Sequence, residues 1–129
     1  MDLPKVPFED KAERKSAVHF DLTRANIFLQ KGKISFIDFD DAKYGGSVCD
    51  VAILIANLFF SKTRGVDIEG MQTFIEKYYG NNNELKNIEQ PLIKKYALNW
   101  INYILNDNEF DSSTKDSFNV RYDLIDKYL

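Results

Sequence analysis

Between His19 and Ala42 the chain carries two clusters of oxygen ligands: His19-Phe20-Asp21-Leu22-Thr23-Arg24-Ala25-Asn26, a β-prone interval, then Ile37-Asp38-Phe39-Asp40-Asp41-Ala42. Phosphoryl transfer from ATP asks a protein for little covalent work and much positioning, with divalent ions held on the phosphates and an acceptor hydroxyl oriented in line. Mg²⁺ prefers carboxylate and amide oxygens. Asp38, at the end of a hydrophobic strand, suits a bridge from metal to phosphate, and Asn26 suits a second metal site through its amide oxygen. Asp21 lies on the loop between them, where it accepts the hydroxyl proton or holds the hydroxyl in place. A general base contributes on the order of 10²–10⁴ in rate. If the strand continues past Asp38, Asp40 shares its face and is a further ligand or support, while Asp41 points away.

These side chains need a scaffold. Ala17-Val18-His19-Phe20 reads as a short buried strand, and the polar stretch after Asp21 as a loop. Ile27-Phe28-Leu29 and Ile34-Ser35-Phe36-Ile37 flank Gln30-Lys31-Gly32-Lys33, a turn of hairpin length that gathers Asp21, Asn26 and Asp38 around one hairpin. After Gly45-Gly46, Ser47 with Asp50 three residues later resembles a capping box and starts a buried helix to about Phe60. A second helix fits Val66 to Tyr79, with Ile68, Met71, Phe74, Ile75 and Tyr78 at helical spacing and Gly80 at its end. A third covers about Glu84 to Asn106, with a break possible at Pro91, and a fourth about Ser113 to Leu129. Residues 1–16, with Pro4, Pro7 and a mixed-charge run, read as an extended arm or linker ahead of a folded unit at 17–129, split into a site-bearing hairpin region (17–46) and a helical region (47–129).

At 129 residues, with 44% hydrophobic and 29% charged residues, the chain is sized and composed as one α+β domain, mainly helical. The run Val51 to Phe60, broken by Asn57, is far short of the ~20 residues a membrane span needs. A net charge of −3 and dispersed lysines argue against nucleic acid as a partner. No secretory pattern opens the sequence and Cys49 is the sole cysteine, so a reducing, cytoplasmic setting is expected.

The pattern His19-x-Asp21-x4-Asn26 followed by Ile37-Asp38-Phe39-Asp40 resembles the catalytic half of the aminoglycoside phosphotransferase and choline kinase family. The resemblance is best over residues 17–57. It implies the C-terminal lobe of a protein-kinase-like fold, ATP as co-substrate, Asp21 as catalytic base, and Asn26 and Asp38 as Mg²⁺ ligands. It further implies that His19 packs beneath the catalytic loop, that Asp50 steadies that loop without touching substrate, and that the acceptor is a small-molecule alcohol such as an aminoglycoside, choline or homoserine. Phe20 departs from the family's usual Gly between His and Asp. The family's Gly-rich hairpin, phosphate-binding Lys and partnering Glu belong to an N-terminal lobe, for which the 18 residues ahead of His19 are too few.

Two rival readings follow from the same residues. The chain is a binding or partner module without activity of its own, associating with a missing lobe or with itself through surface that the lobe would cover. Alternatively His19, Asp21 and Asp38 ligate a transition metal for phosphoester hydrolysis. Elsewhere, Tyr96, Trp100 and Tyr103 recur at helical spacing and suit either core packing or a cage for a quaternary ammonium group. Asp107, Glu109 and Asp111 suit either a solvated helix end or an attractor of cationic substrate, and Arg24 suits a surface ion pair.

Overall fold

A computed structural model describes residues 2–129. Its elements run β1 (Lys15–Val18), a 3-10 turn (Arg24–Asn26), β2 (Ile27–Gln30), β3 (Lys33–Phe36), β4 (Lys43–Gly46), α1 (Val48–Leu58), β5 (Phe60–Ser61), β6 (Gly65–Val66), α2 (Ile68–Tyr79), α3 (Asn83–Asp107) and α4 (Ser112–Tyr128). The fold is α+β and largely helical. Among the described residues the strands form three antiparallel pairs, β1 with β4, β2 with β3, and β5 with β6. No described helix is long and apolar enough to cross a membrane.

The core is organised by α1 and α3. Val48, Cys49, Val51, Ala52, Ile53, Ile55 and Ala56 are buried nearly all round α1, as a helix enclosed by other elements requires. On α3, Glu89, Ile93, Tyr96, Ala97, Trp100 and Ile101 form the buried face. Helix α3 continues through Pro91 without the expected break; the missing backbone donor and the ring's crowding of the preceding turn are local costs, set against burial along the whole face.

The segment 1–16, expected as an arm or linker, is over its described residues 2–16 extended but docked. Val6 and Ala12 are buried in the core, and β1 begins at Lys15, so no boundary falls at 16/17. Asp10 accepts from Gly46 N–H (2.8 Å), Ala12 N–H (3.2 Å) and the Tyr96 hydroxyl. Arg14 meets the buried Glu89 through two bonds of 3.0 and 2.8 Å, and Tyr79 donates its hydroxyl to the same carboxylate at 3.0 Å. Gly45 and Gly46 are strand residues rather than a break, and they admit this docking. A Cβ on Gly45 would lie 2.3 Å from Val6 Cγ2, and one on Gly46 2.5 Å from Ala12 Cβ.

The β2–β3 hairpin pairs Gln30 with Lys33 across the two-residue turn Lys31-Gly32. Both turn residues have positive φ (51° and 75°), the left-handed turn geometry that matches strand twist.

Candidate active site

The loop from His19 to Asn26 is fixed from three sides. Asp50, in the first turn of α1, accepts from His19 N–H (2.7 Å) and Phe20 N–H (2.9 Å). It is not a capping partner for Ser47, whose hydroxyl instead meets Ser16 at 2.8 Å and makes no cap bond. At the far end of α1, Asn57 Nδ2 donates to Leu22 O at 3.0 Å. From α3, Trp100 Nε1 donates to Phe20 O at 3.0 Å.

Phe20 itself has φ +71°, where a Cβ is unfavourable and glycine is not. The residue tolerates that conformation because its ring is buried, 6.1 Å from Phe8 and 5.5 Å from Tyr103 between centroids. The ring points into the core rather than across the loop, so it does not crowd Asp21.

His19 ties the two acidic segments together. Its Nδ1 accepts from Asp21 N–H at 3.1 Å, and its Nε2 donates to Ile37 O at 2.7 Å. Ile37 N–H in turn donates to Asn26 O at 3.0 Å, so Ile37 is held at both its backbone groups. With both ring nitrogens occupied, His19 has no lone pair for a metal, which removes the transition-metal hydrolase reading.

Asn26 is buried and donates its amide N–H to Asp21 O (2.9 Å) and Asp21 Oδ2 (3.2 Å). Its Oδ1 accepts from no described residue. Burial, then the charge of Asp41, push the Asp21 carboxyl above the ordinary carboxylate range; His19 and Asn26 oppose the shift, and Asp38 adds to it.

Strand β3 ends at Phe36, so Asp38 and Asp40 lie in a loop and the shared strand face expected for them does not exist. Asp38 has φ +62°, which turns the chain there. Both carboxylates are exposed and neither is engaged by a described side chain.

Hard oxygen donors without protein partners, on Asn26 and Asp38, fit Mg²⁺, which characteristically takes one or two protein oxygens and completes its shell with phosphate and water. Among the described residues no group of three or more His, Cys, Asp or Glu could hold a metal by itself, so a dedicated all-protein cage is not what this site offers.

Beside the loop runs a cleft of about 310 Å³ lined by Phe8, Asn99, Asn102, Tyr103, Asn106 and Asp107. The α3 residues recur at i, i+3, i+4, i+7 and i+8, one polar helix face. Sequence reasoning missed this asparagine stripe, though its spacing was present to be read. Tyr96 and Trp100 are fully buried, so the aromatic cage is not formed and of those three only Tyr103 borders the cleft. Asp107 accepts from the Tyr103 hydroxyl at 3.2 Å, and Asp111 caps α4 through Thr114 N–H at 2.7 Å. Arg24 forms no ion pair among the described residues; it donates to Asn57 O (3.3 Å) and Leu58 O (2.9 Å) at the end of α1.

None of the curated proteins and none of the solved structures compared with this chain matches it. The model of the phosphotransferase enzyme family matches residues 2–80, more than half of the sequence, from the docked N-terminal segment to the end of α2. That span includes both acidic segments and Asp50. The chain belongs to the phosphotransferase enzyme family.

Proposed function

We propose that this chain is the catalytic and acceptor-binding lobe, kinase-like in fold, of an ATP-dependent enzyme that phosphorylates a small-molecule alcohol. The observation that carries the reading is the pairing of Asn26 with Asp21. Both bonds of the Asn26 amide nitrogen are spent on Asp21, which orients that carboxylate and leaves Asn26 Oδ1 for a ligand.

Asn26 and Asp38, with Asp40 as a further candidate, would hold Mg²⁺. The ion supplies charge neutralisation on the phosphates as negative charge redistributes toward the leaving group. Asp21, its proton affinity raised by burial and by Asp41, accepts the proton of the acceptor hydroxyl; a base whose pKa lies nearer neutrality is better matched to that task. His19 and Asp50 keep the loop in place without touching the reacting atoms. The asparagine-lined cleft, adjoining Phe20 through Tyr103 and Phe8, suits an acceptor rich in hydroxyl or amine groups.

The hairpin supports a second lobe above the site. Leu29 is 75% exposed, Ile34 63% and Phe39 58%, with Phe28, Phe36 and Ile37 also exposed. Leu29 and Ile34 pair across the hairpin and share a face with Phe36; exposed apolar side chains so grouped mark a docking face, here proposed for the nucleotide-binding lobe. The same surface favours the alternative reading, a partner module that docks without transferring phosphate.

Phosphoryl transfer from γ-labelled ATP to a panel of amino alcohols and polyols, with Mg²⁺, tests the proposal. Asp21→Asn is expected to lower turnover by on the order of 10²–10⁴. Transfer that is unchanged in Asp21→Asn overturns the assignment. Nucleotide-independent association through the hairpin, with no transfer in the presence of the covering lobe, favours the partner module.

A further inference from the structure

A cavity of about 330 Å³ that shares no lining residue with the asparagine-lined cleft is lined by Arg24, Arg64 and Arg121, with Thr23, Asn57 and Phe118 among its walls and no carboxylate. A smaller cavity of about 190 Å³ shares Arg24 and Arg64 with it. None of the three arginines is in an ion pair among the described residues. Asp67, which borders the smaller cavity, gives its carboxylate to Gly70 N–H at 2.9 Å.

Arg121 is the most exacting of the three. Its Nη1 donates to Asn57 Oδ1 at 2.7 Å and its guanidinium lies 5.0 Å from the Phe118 centroid. Its Nε is buried without any partner, a state that costs free energy unless an acceptor arrives. Burial, then the nearby charge of Arg24, disfavour its charged form. Arg64 makes no side-chain bond to a described residue. Guanidinium groups that converge without carboxylates match the fork geometry of phosphate oxygens.

We propose that this cavity binds a small phosphate-bearing molecule, with Arg24, Arg64 and Arg121 on its phosphate oxygens. Occupancy is wired to the catalytic loop: Arg121 bonds Asn57, and Asn57 bonds Leu22 O, next to Asp21. Arg24 itself stands between Asp21 and Asn26. The site is therefore placed to report the level of a phosphorylated metabolite to the loop.

Calorimetric titration of the 129-residue protein with inorganic phosphate and with glycerol 3-phosphate tests this, at constant ionic strength in EDTA. No metal or nucleotide is present, so the result does not depend on the transfer reading. Saturable binding is expected, weakened at least about tenfold in Arg64→Gln and in Arg121→Gln and unchanged in Lys33→Gln at the hairpin tip. Arg64→Gln, which breaks no internal bond, is expected to keep the melting temperature of the ligand-free protein and so separates binding from folding. Absence of saturable binding, or equal affinity in Arg64→Gln and the unaltered protein, overturns the proposal. A preference for glycerol 3-phosphate identifies a phosphate monoester as the ligand; equal affinity identifies phosphate alone as sufficient.

Discussion

Phe20 holds a left-handed backbone conformation at the start of the loop that carries Asp21, and two opposing free energies meet there. A non-glycine residue in that region costs roughly 1–2 kcal/mol. Removing a buried Phe side chain costs about 3–5 kcal/mol, and Phe20, 2% exposed between Phe8 and Tyr103, is buried enough for the upper part of that range. Burial wins, so Phe occupies a position made for Gly. Phe20→Ala keeps the strained conformation and loses the ring, and is expected to destabilise by about 3–5 kcal/mol. Phe20→Gly loses the same ring but relieves the strain, recovering ~1–2 kcal/mol. The greater freedom of glycine in the unfolded chain returns about 0.4–1 kcal/mol of that. The net expectation is that Phe20→Gly is more stable than Phe20→Ala by about 1 kcal/mol, the reverse of the usual order outside left-handed positions. Urea unfolding followed by tryptophan fluorescence reads both variants, because Trp100 Nε1 bonds Phe20 O and senses the loop directly. A Phe20→Ala variant at least as stable as Phe20→Gly refutes the account of strain, and a Phe20→Gly variant matching the unaltered protein refutes the account of burial.

Asp50→Ala strands the backbone N–H groups of His19 and Phe20; at about 1–3 kcal/mol for each unsatisfied donor, a loss of about 2–6 kcal/mol in chemical denaturation is expected, with accelerated amide exchange at both residues. Gly46→Ala places a methyl 2.5 Å from Ala12 Cβ and is expected to cost about 1–3 kcal/mol, read as a lower melting temperature and as faster proteolysis of the N-terminal segment. Asp10 carries a pH signature: desolvation acts upward as the largest influence, but bonds from Tyr96, Gly46 and Ala12 and the charge of Lys15 together hold its carboxyl below the ordinary value of 3.8. A depressed folded pKa stabilises above the unfolded value and is lost as pH falls through the folded one, so the stability gap between the unaltered protein and Asp10→Asn is expected to be constant above about pH 4 and to close below it. A gap that widens on acidification contradicts this sign.

What lies close along the chain was legible in advance. The hairpin was expected from two β-prone segments around Gln30-Lys31-Gly32-Lys33; the structure narrows the turn to Lys31-Gly32 and pairs Gln30 with Lys33. The C-terminal end of α2 followed from apolar residues at helical spacing and a terminal Gly80, whereas its start lies at Ile68 rather than Val66, because Val66 pairs with Phe60 in β6 and Asp67 caps the helix. The short interval between Asp21 and Asn26 lets the two side chains bond directly, and the hairpin that follows returns Asp38 near enough for its charge to act on Asp21, although Asp38 lies in a loop beyond β3 rather than at a strand end. Phe20 stood out as an anomaly by type and its burial was expected, but the strand ends at Val18 rather than Phe20, and the left-handed turn at Phe20 was not legible.

What the tertiary structure alone decided involves partners far apart in sequence. Ser47 and Asp50 carry the signature of a capping box, yet folding brings His19 and Phe20 within reach, and their two backbone donors take the Asp50 carboxylate in place of a cap bond. Tyr96 and Trp100 have the spacing of a cage, but the docked arm and loop close over them and turn them into core. The mixed-charge segment looks solvated until Arg14 meets Glu89 and Asp10 meets Gly46 and Tyr96. Arg24, Arg64 and Arg121 lie on three separate elements and share no local pattern, and only chain closure gathers them round one cavity. Local periodicity and turn chemistry act within a few residues and can be read from order alone, whereas which donor a buried carboxylate finds is set by closure of the whole chain.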